Sequence, residues 1–131
     1  MADPATTVFC LCIEELPMPD PARVETGISV GLSTFRRPLQ SMMPTEAKAG
    51  CLYPNNARMI REAQARGFGN ALALDGLGNV AELATSNVFI VRDGVVSTPI
   101  ANGTFLSGIT RQRVIQLLRP AGTAAAPSTH P

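Results

Sequence analysis

The chain has 131 residues, a formal net charge of +1 and a hydrophobic fraction of 45%. This length suits one domain, and the near-neutral charge does not favour nucleic acid as a partner. No apolar run approaches the roughly 20 residues that a membrane-spanning helix needs, and the N-terminus lacks the features of a secretory signal. We therefore expect a globular cytoplasmic protein with no membrane partner.

The three cysteines, Cys10, Cys12 and Cys51, form an odd set with no disulfide framework. They predict buried thiols in a reducing compartment. A metal site on Cys10 and Cys12 would need two further ligands, and the only histidine, His130, lies close to the end of the chain. We expect no metal.

The first strand is predicted at 6–13, a segment that is almost continuously apolar, as in a strand covered on both faces. The prolines that follow, Pro17, Pro19 and Pro21, predict a linker that cannot join a sheet. Alternation of apolar and small residues then predicts a second strand at 27–35.

One helix is predicted over 57–66, with Asn56 as its N-cap and Gly67 as its stop. Glu62 and Arg66 have the i,i+4 spacing of a stabilising ion pair on this helix. The apolar face of the helix is expected to cover a sheet.

Two hairpins are predicted next. The first pairs 71–75 with 80–83 across a glycine-rich turn. The second pairs 87–91 with 95–98 across Arg92-Asp93-Gly94, which is a strong hairpin signal.

The last helix is predicted to begin with Thr110 as its cap and to end at Arg119. Residues 120–131 are rich in alanine, proline and threonine, and this biased composition predicts a disordered tail.

Lys48 is the only lysine, and the other ten cationic side chains are all arginine. An amine can form a Schiff base with an aldehyde, whereas a guanidinium cannot. This pattern indicates a position where an amine is chemically needed.

Several motifs accompany this lysine in register. Tyr53 lies five residues after it, Glu82 thirty-four after it and Asn87 five further on, and Gly108-Ile109-Thr110 opens a helix. In this combination the chain resembles the class IV pyridoxal-phosphate aminotransferases, and among them most closely the branched-chain amino acid aminotransferases. The resemblance runs over about 27–119.

The resemblance implies an α+β fold, that of the large C-terminal domain of these fold type IV enzymes, with a β-rich pseudo-barrel and flanking helices. Residues 1–26 would be a remnant of the small N-terminal domain and its linker, and 27–119 part of the large cofactor-binding domain. Family members are longer and carry further phosphate and substrate residues. The chain is therefore expected to be a truncated fragment, marginally stable because of exposed apolar surface and with little transaminase activity.

The resemblance also implies pyridoxal 5'-phosphate as cofactor and Lys48 as catalytic residue. Lys48 would form a Schiff base with the cofactor aldehyde and then carry a proton between substrate and cofactor. Glu82 would pair with the pyridine nitrogen and keep it protonated, and Tyr53 would approach the phenolic oxygen. Their ordinary alternatives are an exposed lysine, a charge at a strand end and a half-buried aromatic ring.

The phosphate is assigned by resemblance to the start of the last helix. Leu106, Gly108, Ile109 and Thr110 would contact it, because a helix N-terminus offers free N–H donors and a positive dipole end. Thr110 as a simple N-cap is the alternative and is compatible with that role. Asn87 is counted with these residues and is expected to hold the backbone around Glu82.

The function implied is transfer of an amino group from leucine, isoleucine or valine to 2-oxoglutarate, in a full-length enzyme that is a homodimer. An aminodeoxychorismate lyase or a D-amino acid aminotransferase of the same fold is an alternative, as is an inactive truncated remnant. Leu83 departs from the family pattern, which often has glycine there, and Cys51 departs as well. These departures bear on packing and substrate preference.

Overall fold

A computed structural model describes residues 4–6, 8–18, 20–119 and 126–127. The helices and strands in chain order are α1 Pro21–Thr26, β1 Val30–Arg36, α2 Tyr53–Ala65, β2 Asn70–Leu74, β3 Val80–Leu83, β4 Ile90–Arg92, β5 Val95–Thr98, α3 Ile109–Leu118 and β6 Ala126–Pro127. Single 3-10 turns lie at Pro4–Thr6 and Gly50–Leu52. No helix in these ranges is long and apolar enough to cross a membrane.

The first sheet has the strand order β1-β2-β3. β1 runs parallel to β2, with Val30 opposite Asn70, and β2 runs antiparallel to β3. A parallel pair needs a long crossover connection, and here the connection contains α2, which packs on the sheet. The core between them is small and rich in alanine: Met59, Ala63, Ala71, Ala73 and Ala84.

The second sheet has the order β4-β5-β6, with β4 and β5 antiparallel. Asp93 and Gly94 have φ of 51° and 76°, the left-handed conformation that a tight hairpin turn requires. The predicted second hairpin is confirmed, although its first strand begins at Ile90 rather than at 87. The first hairpin matches its prediction to within one residue.

The N-terminal segment differs from its prediction, since 8–13 forms no strand. Val8, Phe9 and Ile13 remain 88%, 87% and 92% exposed. A strand is stable only when a neighbour satisfies its amide groups, and no described strand lies beside this segment. The apolar composition of 6–13 was therefore a misleading signal.

The cysteines also differ from their prediction, because Cys10, Cys12 and Cys51 are all exposed. The sulfur atoms of Cys10 and Cys12 lie 3.6 Å apart in the exposed N-terminal segment. Cys51 lies in the 3-10 turn before α2. The expectation of buried thiols is therefore wrong.

The predicted proline linker contains a short helix, α1. Asp20 accepts a hydrogen bond from the Ala22 amide at 3.0 Å, and Pro21 occupies the first helical position, where its missing N–H costs nothing. Pro21 thus begins a helix here, and the described residues of this segment join neither sheet.

α2 begins at Tyr53, four residues before the predicted start, and Asn56 is not its cap. Pro54 in the first turn favours this earlier start. The predicted stop is confirmed, because Gly67 has a φ of 83°.

Glu62 and Arg66 do not form the predicted ion pair, and each reaches β1 instead. Glu62 accepts hydrogen bonds from the Ser33 hydroxyl at 2.7 Å and the Thr34 amide at 3.1 Å, and Arg66 donates to the Leu32 carbonyl at 2.8 Å. The hydrogen bonds from Thr34 and Ser33 lower the pKa of Glu62. Both side chains therefore fix α2 to the sheet.

α3 begins at Ile109 with Gly108 as its N-cap, so the prediction that Thr110 caps the helix is wrong. The predicted disordered tail at 120–131 lies outside the described residues, apart from 126–127, which pair in parallel with β5.

Candidate cofactor site

Glu82 is a buried carboxylate on β3, where it lies opposite Ala73 of β2. It is 8% exposed, and its Oε1 lies 3.2 Å from Nε of Arg37, which is 4% exposed. Burial raises the pKa of Glu82 to about 7, against the opposing effect of the Arg37 charge. The carboxyl group is thus able to exchange a proton near neutral pH.

Arg37 joins four segments of the chain. Arg37 directly follows β1, and its amide donates to the Leu74 carbonyl at 2.9 Å. Its Nε donates to the Thr104 carbonyl at 3.1 Å, and its terminal nitrogen donates to Asn56 Oδ1 at 2.7 Å. Arg37 is not among the site residues predicted from the sequence. A buried carboxylate requires a cation nearby, but sequence alone does not say which of ten arginines supplies it.

The start of α3 is organised by Asn87. Its Nδ2 donates to the Leu106 carbonyl at 2.9 Å, and its Oδ1 accepts from the Gly108 amide at 3.2 Å. A Cβ at position 108 would collide with this Oδ1, so a larger residue there would displace the Asn87 side chain from these bonds. Asn87 therefore holds the loop before α3, and not the backbone around Glu82 as predicted.

The first amides of α3 have no side-chain cap. Thr110, its second residue, is exposed, and so is Ile109, at 87%. Free N–H donors at a helix N-terminus form an anion site. The donors, the hydroxyl and the positive end of the helix fit a phosphate group.

Arg111 adds a buried positive charge to the first turn of α3. Its Nε donates to the Thr98 hydroxyl at 3.2 Å and its terminal nitrogen to the Pro99 carbonyl at 2.5 Å, and its guanidinium lies 5.8 Å from the centre of the Phe105 ring. Burial lowers the pKa of Arg111. No carboxylate of the described residues forms an ion pair with Arg111. Arg111 is also not among the site residues predicted from the sequence.

Lys48 lies in an exposed turn between β1 and α2, with no hydrogen bond or ion pair to other described residues. Tyr53, the first residue of α2, is 53% exposed. Neither side chain is bonded to Glu82 or to the start of α3. Lys48 thus presents a free amine, which is what capture of an aldehyde requires.

An open groove of about 570 Å³ lies beside the Lys48 turn, where β1 ends and α2 begins. Its walls include Leu39, Met43 and Leu52 together with Arg37. Neither Lys48 nor Glu82 lines it. Of the Arg37–Glu82 pair, only Arg37 therefore faces the groove.

Three features fit three parts of pyridoxal phosphate: the amine of Lys48 fits the aldehyde, the carboxyl of Glu82 fits the ring nitrogen, and the start of α3 fits the phosphate. Among the described residues, no group of three or more histidine, cysteine, aspartate or glutamate side chains is placed to hold a metal ion.

Comparison with known proteins identifies the family. The model of amino-transferase class IV matches residues 2–128, almost the whole chain. The chain belongs to the class IV aminotransferases. The family and the α+β fold class predicted from the sequence are confirmed.

Three relatives of this class IV chain are informative. A probable branched-chain-amino-acid aminotransferase of Rickettsia conorii is 37% identical over 102 residues, covering 78% of this chain and 35% of the relative. The branched-chain-amino-acid aminotransferase of Escherichia coli K12 is 37% identical over 99 residues, covering 76% and 32%. A crystal structure of an aminotransferase from Brucella abortus bound to pyridoxal phosphate matches with a TM-score of 0.80 and 60% identity, covering 87% and 39%.

This class IV chain thus spans between about a third and two fifths of the length of these relatives. The range matched by the family model includes Lys48, Glu82 and the start of α3.

Proposed function

We propose that this chain supplies the cofactor-binding part of a pyridoxal-phosphate aminotransferase that moves an amino group from a branched-chain amino acid to a 2-oxo acid such as 2-oxoglutarate. One observation carries the proposal. The loop at 99–108 joins the buried pair of Glu82 and Arg37 to the uncapped start of α3, because Thr104 bonds to Arg37 and Leu106 bonds to Asn87.

The relatives support the substrate class. Those from Rickettsia conorii and Escherichia coli carry branched-chain names, and the Brucella abortus protein is described as bound to pyridoxal phosphate. On this proposal, 27–119 is part of the large cofactor-binding domain, and 1–26 is a remnant of the small N-terminal domain and its linker. A cytoplasmic homodimer stays a prediction.

Each residue of the site then has a task. When bound, pyridoxal phosphate supplies an aldehyde that captures amino groups and a ring that accepts electrons from the substrate α-carbon. The Lys48 amine anchors it and afterwards moves a proton at the α-carbon. Glu82 would hold a proton at the ring nitrogen, and the Arg37 charge favours the ionised form of that carboxyl group against the effect of burial.

The start of α3 holds the phosphate in this scheme. The free amides of Ile109 and Thr110 and the hydroxyl of Thr110 donate to its oxygens, and the charge of Arg111 adds attraction for a dianion. Asn87 keeps the helix start in the required position. The hydroxyl of the exposed Tyr53 side chain is assigned to the phenolic oxygen of the cofactor.

The experiment uses the single lysine. The purified chain is incubated with pyridoxal phosphate and reduced with borohydride, and the adduct is located by mass spectrometry. We expect one adduct, on Lys48. The matched control is Lys48→Arg, which keeps the positive charge and cannot form a Schiff base. Labelling of the N-terminal amine alone, or equal labelling of the control, would refute the proposed function.

Substrate class needs a second assay. Leucine, isoleucine, valine or D-alanine is added to the chain with bound cofactor, without borohydride. The decrease in cofactor absorbance is then compared between the branched-chain amino acids and D-alanine. A response to D-alanine alone would contradict the branched-chain assignment while leaving the cofactor site intact.

A further inference from the structure

We propose that residues Asn102–Thr104, here called the bridging loop, fix the position of Lys48 relative to Glu82, and that Thr45 and Asp75 are the positioning residues that hold this loop. The inference rests on the proposed function, since it concerns the geometry of the same site. It assigns roles to side chains that do not touch the cofactor.

Thr45 connects the bridging loop to the Lys48 turn. Its side chain is completely buried, and its hydroxyl donates a hydrogen bond to the Gly103 carbonyl. Gly103 has a φ of 80°, and a Cβ there would lie 2.9 Å from the side-chain oxygen of Gln40. Gln40 in turn donates to Glu46 at 2.7 Å. The segment leading to Lys48 is therefore attached to the loop by the Thr45 hydrogen bond, and the Gln40 side chain lies close to Gly103.

Thr104 connects the loop to Glu82. The Thr104 carbonyl accepts from Nε of Arg37 at 3.1 Å, and the same Nε lies 3.2 Å from Glu82 Oε1. The position of the guanidinium beside the carboxylate thus depends on where the loop places this carbonyl. All three residues are buried, with exposures of 6%, 4% and 8%.

Asp75 holds the loop itself. It is 2% exposed and lies directly after β2, whose neighbour β3 carries Glu82. Its Oδ2 accepts from Asn102 at 2.9 Å, and Asn102 Oδ1 accepts from the Thr104 hydroxyl at 2.7 Å and amide at 3.2 Å. Oδ1 of Asp75 accepts from the Asn79 amide at 2.9 Å, so Asp75 also connects the loop to the turn of the first hairpin.

These bonds form one continuous path from the lysine turn to the carboxylate. Because most of its members are buried, a lost bond is not replaced by water without cost. A shift of about 1 Å in a reacting group can cost about 100-fold in rate, so even a partial shift of the turn would be measurable.

The test compares Thr45→Val with Thr45→Ser in the full chain. Valine keeps the shape and removes the hydroxyl, whereas serine keeps the hydroxyl. The readouts are the rate of borohydride-trapped adduct formation on Lys48 with pyridoxal phosphate, and the pH midpoint of the absorbance of the bound cofactor. We expect Thr45→Val to slow trapping about 10-fold and to shift the midpoint, and Thr45→Ser to restore both.

Thr26→Val is the matched control. The Thr26 hydroxyl donates to the Ala22 carbonyl at 2.8 Å within α1, far along the chain from the bridging loop. All variants are assayed under conditions where urea titration shows them folded. Trapping by Thr45→Val at the wild-type rate and midpoint, or equal slowing by Thr26→Val, would overturn the inference.

The proposed function fails if the unmodified chain forms no Lys48 adduct. In that case a second measurement, which needs no cofactor, still tests the inference. Hydrogen exchange is then measured over 45–49 without cofactor. Thr45→Val and Asp75→Asn are each expected to speed exchange there about 10-fold, while Thr26→Val leaves it unchanged. Unchanged exchange in both loop variants would overturn the inference on its own.

Discussion

Raising the pH through neutrality is expected to destabilise this chain because of one buried carboxyl group. Glu82 has a pKa of about 7 in the folded chain, against an ordinary value of 4.5. The folded state therefore binds the proton more tightly than the unfolded state does. The stabilisation is complete below pH 4.5 and is lost as the pH rises through about 7.

The magnitude follows from these two pKa values. At about 1.4 kcal/mol per pH unit, the difference between 4.5 and about 7 corresponds to about 3 kcal/mol of unfolding free energy. This is an upper limit, since the side chain of Glu82 keeps 10% of its exposure and Arg37 lies beside it. With a urea dependence of about 2 kcal/mol per molar, the midpoint of unfolding should fall by about 1 M or somewhat more between about pH 5 and about pH 8.

The assay is urea unfolding followed by circular dichroism at several pH values. Glu82→Gln removes the titrating group and should flatten the pH dependence in this interval. Glu25→Gln, which changes an exposed glutamate of α1, should leave the dependence as it is. A midpoint that stays constant or rises from about pH 5 to about pH 8 would refute the reasoning.

Two further substitutions test packing and the start of α3. Gly31→Ala places a Cβ 2.5 Å from the Phe68 ring and should cost about 1–3 kcal/mol by urea unfolding, whereas Gly50→Ala meets no atom within 4 Å and should cost much less. Asn87→Ala removes both bonds that hold the loop before Gly108, and should cost about 2 kcal/mol and weaken pyridoxal phosphate binding measured by absorbance.

Each of these has an outcome that contradicts it. If Gly31→Ala and Gly50→Ala lower the free energy of unfolding equally, the Phe68 ring does not pack closely against Gly31 of β1. For Asn87, the control is Asn70→Ala, which breaks a bond to Thr85 away from α3. If both asparagine variants bind pyridoxal phosphate equally well, Asn87 does not organise the phosphate position.

Local signals in the sequence predicted the elements that depend on local bonds. Both hairpins were found from their turns, and α2 and α3 from their apolar spacing, with errors of up to four residues at the ends. α2 starts earlier than Asn56 predicts, because Pro54 favours the first turn of a helix. Thr110 is a typical cap residue, but α3 is capped by Gly108, which has no side chain to mark it in the sequence.

Elements that depend on distant partners were predicted less well. The segment 8–13 has the composition of a strand, but composition does not supply a neighbouring strand. The same limit applies to Arg37, whose partner Thr104 is 67 residues away along the chain. Buried ion pairs and loop contacts of this kind follow from the tertiary fold, so the positions of Glu82, Asn87 and Lys48 were predicted but their surroundings were not.

The parallel pairing of β1 with β2 has a consequence for how this chain folds. β2 and β3 are joined by a short turn, so their pairing closes a small loop, whereas β1 meets β2 only after the whole crossover containing α2 is in place. Closing the larger loop costs more entropy, and non-local pairing is slow. We expect the hairpin with Glu82 to form early and β1 to dock late. Arg37, which directly follows β1, would then pair with Glu82 only in the last step, so that the Glu82 carboxyl group stays in water until β1 has docked.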